Sequence, residues 1–345
     1  MLLLLRICRR AATGRSRVSM STSAVTLASA DDRRQKAFGA MNVFDRDAKR
    51  RHRELWAANP DAEKYDYLRE EVGYRIADRM FDIKRKLNTV VELGCGRGYI
   101  AQHLFDDVVD EYIMCDLSDK IVAAARGNDK LKVSRRAVDE EEPLPFEANS
   151  INAVVSSLSL HWVNNLPGLF CSVFDVLKPD GVFLGSLFGN DTLYELRGAL
   201  QLAETELEGG FGVHVSPFVE PSDLGGLLRA AGFQMLTLDS DTIVVGYPGL
   251  AELLADLKGM AENNCVWKRK THLHRRTQRL AADKYREMYA DEKGHIRATF
   301  HILSFIAWKP HESQPKPARR GSATVSFKDL DKLGGKGSPP EKSSS

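Results

Sequence analysis

Three glycines alternate at positions 94, 96 and 98, directly after a short run of β-branched and apolar residues at 89–93. A strand, a glycine turn and a helix in this order form a ligand-binding edge in parallel sheets. Glycine is required there because a Cβ would clash with the ligand or forbid the turn. Position 99 is tyrosine, so the G-x-G-x-x-G spacing of nicotinamide dinucleotide sites is not met. The turn therefore predicts a different ligand.

Acidic residues follow at the positions where a nucleoside would need them. Asp116 ends the second predicted strand, where a carboxylate can accept hydrogen bonds from both ribose hydroxyls, and Leu117 beside it can pack on a base. Four consecutive acids occupy 139–142, before the fourth predicted strand, and we select Asp139 among them as a further ligand contact. Each feature alone is ordinary in a turn, a helix cap or a solvated loop. Their order together predicts a nucleoside-containing cofactor.

The segment 156–162 ends the fourth predicted strand at the same edge of the sheet. Ser156 is a candidate cofactor contact, and His161 is a candidate catalytic base. Histidine is the side chain whose ordinary pKa suits proton transfer near neutral pH. A structural or substrate-shaping role for His161 remains the alternative, because a histidine followed by Trp162 is also typical of a packed helix start.

The elements that must position these residues are an alternating series of strands and helices. This pattern predicts an α/β fold with a doubly wound, mostly parallel sheet. Strands are predicted at 89–93, 111–115, 132–137, 152–157 and 181–187, with helices at 99–105, 118–126 and 166–177. Beyond them the pattern predicts a helix at 192–208 opened by a capping box of Thr192 and Glu195, helices at 221–231, 250–260 and 273–289, a strand or hairpin at 233–245 and a final strand at 299–308.

Charge is distributed unevenly along the 345 residues. Residues 1–30 contain five arginines, eight Ser or Thr and no acid, which predicts a mitochondrial transit peptide. Residues 309–345 contain eight basic and four acidic residues among Pro, Gly and Ser, which predicts a flexible tail. The remaining 31–308 contain 36 Lys and Arg against 43 Asp and Glu. An acidic body gives no general electrostatic reason to bind nucleic acid and favours a basic partner.

The sequence also argues against a membrane-spanning protein and against a protein built around cysteine sites. No run of about 18 apolar residues occurs, so no spanning helix is predicted and any membrane contact is peripheral. The five cysteines are far apart, which argues against a disulfide framework, a zinc site or an iron–sulfur cluster. Helical patterns at 45–58 and 65–83 predict a lead-in over 31–84. Its first helix could lie on a membrane or cover the cofactor as a lid.

Longer motifs carry a family resemblance. Gly-Cys-Gly-Arg-Gly-Tyr-Ile-Ala at 94–101, Leu-His-Trp-Val-Asn-Asn-Leu-Pro at 160–167 and Leu-Lys-Pro-Asp-Gly-Val-Phe at 177–183 resemble the class I S-adenosylmethionine-dependent methyltransferases. The resemblance implies a Rossmann-like, seven-stranded domain over 85–308 with helical insertions at about 190–220 and 248–292. It also implies S-adenosyl-L-methionine as cofactor, held by Glu92, Gly94, Cys95, Gly96, Gly98, Asp116, Leu117, Asp139 and Ser156.

Three segments narrow the resemblance to a family of mitochondrial complex I assembly factors. They are Asn-Val-Phe-Asp-Arg-Asp at 42–47, Gly-Asn-Asp-Thr-Leu-Tyr-Glu-Leu-Arg at 189–197 and Arg-Gly-Ser-Ala-Thr-Val-Ser-Phe at 320–327. Proteins similar to these are described as hydroxylases of one arginine in an iron–sulfur subunit of complex I. The resemblance implies a matrix protein, peripheral on the inner membrane, whose partners are that subunit and other assembly factors.

The chemistry of hydroxylation leaves the oxidant open. Activated oxygen must come from a metal or redox cofactor, because protein side chains cannot supply it. His52 and Glu54 form the only His-x-acid pair, and their basic helical setting gives no reason to assign them a metal. An arginine substrate could be held by acids after the fifth strand, so Asp191 and Glu195 join His161 as catalytic candidates; a solvated helix face is the alternative.

Two other functions therefore stay open. One is an orthodox S-adenosylmethionine-dependent methyltransferase acting on a protein or a small molecule, for which the glycine turn, Asp116 and Asp139 suffice. The other is a non-catalytic assembly chaperone that holds an iron–sulfur subunit.

Overall fold

A computed structural model describes residues 42–315 of the chain. The predicted transit peptide at 1–30 lies outside the described residues, as does the predicted tail beyond residue 315. Seven strands form one sheet: β1 Leu87–Leu93, β2 Val109–Asp116, β3 Lys132–Ala137, β4 Ile151–Ser157, β5 Leu177–Phe188, β6 Gln234–Tyr247 and β7 Ile296–Trp308. The longer helices are α1 Arg46–Ala57, α2 Tyr67–Phe81, α3 Asp119–Ala124, α4 Leu166–Val176, α5 Tyr194–Glu208, α6 Pro221–Ala230, α7 Leu250–Gly259 and α8 Arg275–Tyr289.

The sheet has the strand order β3-β2-β1-β4-β5-β7-β6. The first five strands pair in parallel, and β7 runs antiparallel to both β5 and β6. The strand order reverses between β1 and β4, which is the topological switch point where open α/β sheets bind ligands. The predicted doubly wound, mostly parallel sheet is confirmed.

Alternate residues of the central strands bury their side chains on opposite faces. Val91 packs in a cluster with α4 and α6, whereas its neighbour Val90 packs in a cluster with α2. Both are at most 1% exposed, as expected of a strand covered by helices on both sides. Helices α5, α7 and α8 pack with the first part of β7 in a third cluster beyond β5.

Two local predictions were wrong. Only a short 3-10 turn, Ala101–His103, forms where a helix was predicted at 99–105, because the backbone becomes extended at Leu104 and ends the turn. The predicted capping box does not form, because the Glu195 carboxylate accepts from Thr299 on β7. At 233–245, where a strand or a hairpin was predicted, the strand is confirmed as part of β6. No helix within 42–315 has the length and apolarity required to cross a bilayer.

Candidate functional site

The glycine turn leaves β1 at the carboxyl edge of the sheet. Gly94, Gly96 and Gly98 all adopt left-handed backbone conformations, with φ of +72°, +53° and +86°. The turn is tied to the neighbouring strand because the Cys95 amide donates to the carbonyl of Cys115 at 2.9 Å. Three left-handed residues within five positions explain the alternating glycines, because other residues would be strained at each of them.

Asp116 faces this turn from the end of β2. Its side chain is buried, and its Oδ2 accepts a hydrogen bond from the Gly96 amide at 2.8 Å. Its Oδ1 accepts from the Leu117 amide at 2.7 Å. The structure therefore brings together the glycine turn and the acid that the sequence analysis paired with it.

Arg53 of α1 also contacts Asp116. Its Nη1 lies 3.2 Å from Asp116 Oδ1 and 3.9 Å from Glu140 Oε1, and its Nη2 donates to Ser159 Oγ at 2.7 Å. The arginine is only 3% exposed. Burial by itself would lower the pKa of Arg53, but the charges of Asp116 and Glu140 outweigh that effect and raise it. The guanidinium is therefore held as a cation between buried carboxylates. We call the space lined by the glycine turn, Asp116, Asp139 and Glu140 the acidic pocket.

A second arginine of α1 closes the rim of the pocket. Arg46 Nη2 lies 2.7 Å from both Asp139 Oδ1 and Glu140 Oε2, and its Nη1 donates to the carbonyl of Trp162. Burial raises the pKa of Asp139, and the charge of Arg46 more than reverses this, so that the pKa is lowered overall. Glu140 is the more buried of the two acids, with a 1% exposed side chain against 23% for Asp139. Glu140 thus lies deeper in the pocket than Asp139.

Glu92 and Ser156 connect strands next to the glycine turn, and Cys95 lies within the turn itself. Tyr112 on β2 donates to the Glu92 carboxyl at 3.0 Å, and Ser156 donates to the carbonyl of Leu93 at 2.7 Å. Burial raises the pKa of Glu92 to about 8, so this carboxyl is mostly protonated at neutral pH. All three side chains are buried, and the hydrogen bonds of Glu92 and Ser156 hold β1, β2 and β4 together.

His161 belongs to a separate buried network. Its Nε2 lies 3.3 Å from Glu262 Oε2, which also accepts from the Trp162 indole at 2.9 Å, and Arg69 pairs with the same carboxylate. Burial lowers the pKa of His161 to about 4, and the positive charge of Lys49 adds to this effect. The imidazole is therefore neutral at physiological pH. Within the described residues its Nδ1 has no hydrogen-bond partner.

Asp191 and Glu195 lie in a different place from the acidic pocket. They line a cavity of about 540 Å³ between α5, α8 and the β6–β7 ladder, together with Tyr194, Thr242, Val244, Tyr289, Arg297 and Thr299. The Asp191 side chain is 69% exposed, whereas Glu195 is buried. The three catalytic candidates are thus divided between two regions, since His161 pairs with Glu262.

The acidic pocket has the polar groups that S-adenosyl-L-methionine needs, but α1 fills its space. Arg53 takes the Asp116 oxygen that a ribose hydroxyl would use. A Cβ at Gly96 would lie 2.9 Å from the Trp56 ring, so the room left by the missing side chain is taken by α1 as well. The donors and acceptors of the pocket fit the cofactor. The docked position of α1 leaves no room for it.

Several of these residues carried no sequence signal. Arg53 and Trp56 look like members of a solvated basic helix, and Glu262 stands in no motif. Arg46 and Ser159 lie within the segments 42–47 and 156–162, but neither was selected there. Glu140 lies in the acid run from which Asp139 was chosen. Across residues 42–315, no three His, Cys, Asp or Glu side chains are grouped as metal ligands.

Known proteins resemble the chain along most of its length. The methyltransferase domain family matches residues 62–238. A Mus musculus protein named "Arginine-hydroxylase NDUFAF5, mitochondrial" is 55% identical over 294 residues, covering 85% of each chain. A Dictyostelium discoideum protein of the same name is 37% identical, covering 86% of this chain and 72% of its own. A malonyl-[acyl-carrier protein] O-methyltransferase from Methylovorus sp. (strain MP688) is 30% identical, covering 76% and 88%.

Proposed function

Because the chain belongs to the family of mitochondrial arginine hydroxylases named NDUFAF5 and contains a methyltransferase domain, we propose that it hydroxylates an arginine side chain of a protein in mitochondria. The observation that carries the proposal is 55% identity extending over 85% of both chains. That span includes most of the helices and strands that build the acidic pocket, so the relatives share more than the common fold.

The reaction converts one C–H bond of arginine into C–O–H. With dioxygen as the oxidant, one oxygen atom enters the substrate and the other leaves as water, which takes up two electrons and two protons. The co-reactants are therefore dioxygen and a two-electron donor, since protein side chains cannot activate oxygen. What the chain itself contributes is the binding and orientation of the arginine.

The cofactor side of the proposal places S-adenosyl-L-methionine in the acidic pocket. Gly96 and Leu117 would present backbone to it, and Asp116 would hold its ribose once Arg53 has moved. When bound, this cofactor supplies an activated methyl group on a sulfonium. Methyl transfer is therefore the second candidate function, favoured by the methyltransferase domain match over 62–238.

The substrate side of the proposal uses the cavity lined by Asp191 and Glu195. A carboxylate suits a guanidinium group, which forms charge-assisted hydrogen bonds with it. Both oxygens of Glu195 already accept from Thr299, so Asp191 is the carboxylate that would meet the substrate. Tyr194 and Tyr289 offer aromatic faces, with ring centroids 5.9 Å apart, on which a guanidinium can stack. Asp191 is the accessible member of the pair, since its side chain is 69% exposed.

The partner in this proposal is an iron–sulfur subunit of complex I, modified during early assembly together with other assembly factors. The protein would work in the matrix, bound peripherally to the inner membrane. The relatives' names support the mitochondrial location, and the acidic character of residues 31–308 suits a substrate that presents arginine.

Isotope labelling tests the proposed reaction. Mitochondria given ¹⁸O-labelled dioxygen should incorporate one labelled oxygen into an arginine peptide of an iron–sulfur subunit only when the protein is present. Incorporation in its absence would refute the hydroxylase. Transfer of a labelled methyl group from S-adenosyl-L-methionine, without labelled oxygen, would establish the second candidate instead.

A further inference from the structure

Helix α1 buries cationic side chains on its inner face. Arg46, Lys49, Arg53 and Trp56 recur at spacings of three and four residues, so they share one face of the helix, and all are buried or nearly so. Leu55, on another face, is 72% exposed. A surface helix normally buries its apolar side, since burying charge without partners is costly. The cations buried beside the apolar Ala48 and Trp56 indicate that α1 is matched to the acidic pocket beneath it.

Each contact of that face occupies a place that the cofactor would need or anchors the helix beside it. Arg53 takes Asp116, and Trp56 fills the room at Gly96. Lys49 donates to the carbonyls of Ala261 and Asn263 at 2.8 and 3.1 Å and fixes the helix to that segment. Arg53 and Trp56 thus occupy the two positions, at Asp116 and at Gly96, that the sequence analysis assigned to the cofactor.

We propose that α1 is an intramolecular plug of the cofactor pocket, in which the Arg53 guanidinium substitutes for the ribose hydroxyls at Asp116. Cofactor binding then requires α1 to leave, and the two states exclude each other. The inference rests on the proposed binding of S-adenosyl-L-methionine and adds the control of that binding.

The nature of the contacts explains how the plug can be released. Arg46 and Arg53 hold α1 by charge-assisted hydrogen bonds to carboxylates. These carboxylates can accept hydrogen bonds from ribose hydroxyls in exchange. Released arginines regain their hydration in water, so that the desolvation cost of their burial is recovered. The apolar cluster that includes Ala48 of this helix is small: Phe44, Ala48, Trp162, Cys265 and Val266.

Calorimetric titration of the full chain with S-adenosylhomocysteine tests the plug. A competing internal ligand lowers the apparent affinity by the fraction of time the pocket is free. Arg53→Met should therefore bind at least about tenfold more tightly than wild type. Arg51→Met is the matched control, since Arg51 is an exposed arginine of the same helix, and its affinity should not change. Unchanged or weaker binding by Arg53→Met would overturn the proposal.

Hydrogen exchange on the wild-type protein gives a test that needs no variant. Addition of S-adenosylhomocysteine should increase exchange at the amides of 46–57, because binding selects the released state. Slower exchange there would make α1 a lid over bound cofactor and would overturn the plug. Trp56→Ala, which clears the room at Gly96, should also strengthen binding, so the proposal stays testable if Arg53→Met folds poorly.

The outcomes separate the two proposals. Tight binding by wild type that neither Arg53→Met nor Trp56→Ala improves would refute the plug and leave the cofactor assignment standing. Absence of binding by wild type and by both variants would refute the cofactor assignment and the plug with it.

Discussion

The guanidinium of Arg53 and the carboxylate of Asp116 form an ion pair in which neither side chain is more than 3% exposed, with Nη1 3.2 Å from Oδ1. The partners are 63 residues apart, so the pair connects α1 to the carboxyl edge of the sheet. Two desolvated charges stabilise a fold only while both are present, because removing one leaves the other buried without compensation. The consequences of breaking this pair depend on whether α1 can move.

Arg53→Met should cost less stability than an ordinary broken buried pair. Breaking such a pair usually costs about 3–5 kcal/mol when the remaining charge stays buried. If α1 is released, water reaches Asp116 and Glu140, and we expect the free energy of unfolding to fall by less than about 3 kcal/mol. Urea unfolding followed by far-ultraviolet circular dichroism measures this, with Arg51→Met as control. A fall of about 3–5 kcal/mol in the free energy of unfolding would indicate that α1 cannot leave the pocket.

Lys49 should make cofactor affinity depend on pH. Burial lowers the pKa of Lys49 from 10.5 to about 7, and the charges of Arg53 and Arg69 add to this effect while Glu262 opposes it. Release restores the ordinary value, so releasing α1 takes up a proton between pH 7 and about 10.5. Release, and with it binding of S-adenosylhomocysteine, should weaken as pH rises from 7 to 9, by at most about tenfold per pH unit.

The neighbours Glu262, His161 and Cys265 have pKa values outside the range from pH 7 to 9 in which affinity would be measured. The pKa is about 2 for Glu262 and about 4 for His161, and burial raises that of Cys265 above 9.0. Lys49→Met should therefore flatten the pH profile of affinity measured by calorimetry. A profile as steep in the variant as in wild type would show that another group, or the ligand itself, causes it.

The free energy of unfolding should fall as the pH drops below 6.5, because His161 is buried in its neutral form. Its pKa is about 4 in the folded protein because of burial, against 6.5 when exposed, so the unfolded chain binds the proton first as pH falls. The stabilisation is complete above pH 6.5 and declines towards pH 4, by at most about 1.4 kcal/mol per pH unit. His161→Gln should decline less steeply in urea unfolding across this range, whereas His311→Gln, at an exposed position, should follow wild type. Equal slopes for His161→Gln and wild type would contradict the assignment.

Asp191→Asn should weaken binding of an arginine-containing substrate peptide. Loss of one exposed charge-assisted contact is worth about 1–2 kcal/mol, roughly 5- to 30-fold in affinity. The fold should be unaffected, because the side chain is largely exposed. Glu287→Gln on α8 is the control, as an exposed acid on a helix that also lines the cavity. Equal peptide affinities for both variants and wild type would show that the substrate arginine does not bind in this cavity.

Local patterns predicted the sheet and the turn, because the signals for them are local. Gly94, Gly96 and Gly98 each need a left-handed conformation, and Asp116 follows its strand directly. These features depend on a few neighbouring residues, so the sequence contains them. The same reasoning found both places in which acids collect, around Asp139 and around Asp191.

The plug could not be predicted, because it depends on contacts across the chain. Arg53 meets Ser159 over a separation of 106 residues, and nothing in a basic helix indicates which side faces inward. Hydrophobic periodicity would place Leu55 inside, yet it is exposed. The capping box failed for a related reason, since Glu195 found a partner on β7 rather than within its own helix.

Accurate-mass mapping of arginine peptides from complex I iron–sulfur subunits tests the central claim most directly. Cells lacking the protein would be supplied with wild type, Asp116→Asn or the control Arg51→Met. We predict that one arginine peptide carries an additional oxygen with wild type and Arg51→Met and lacks it with Asp116→Asn, at equal protein levels. A peptide that keeps its oxygen with Asp116→Asn, or that lacks a methylene instead, would contradict hydroxylation through this pocket.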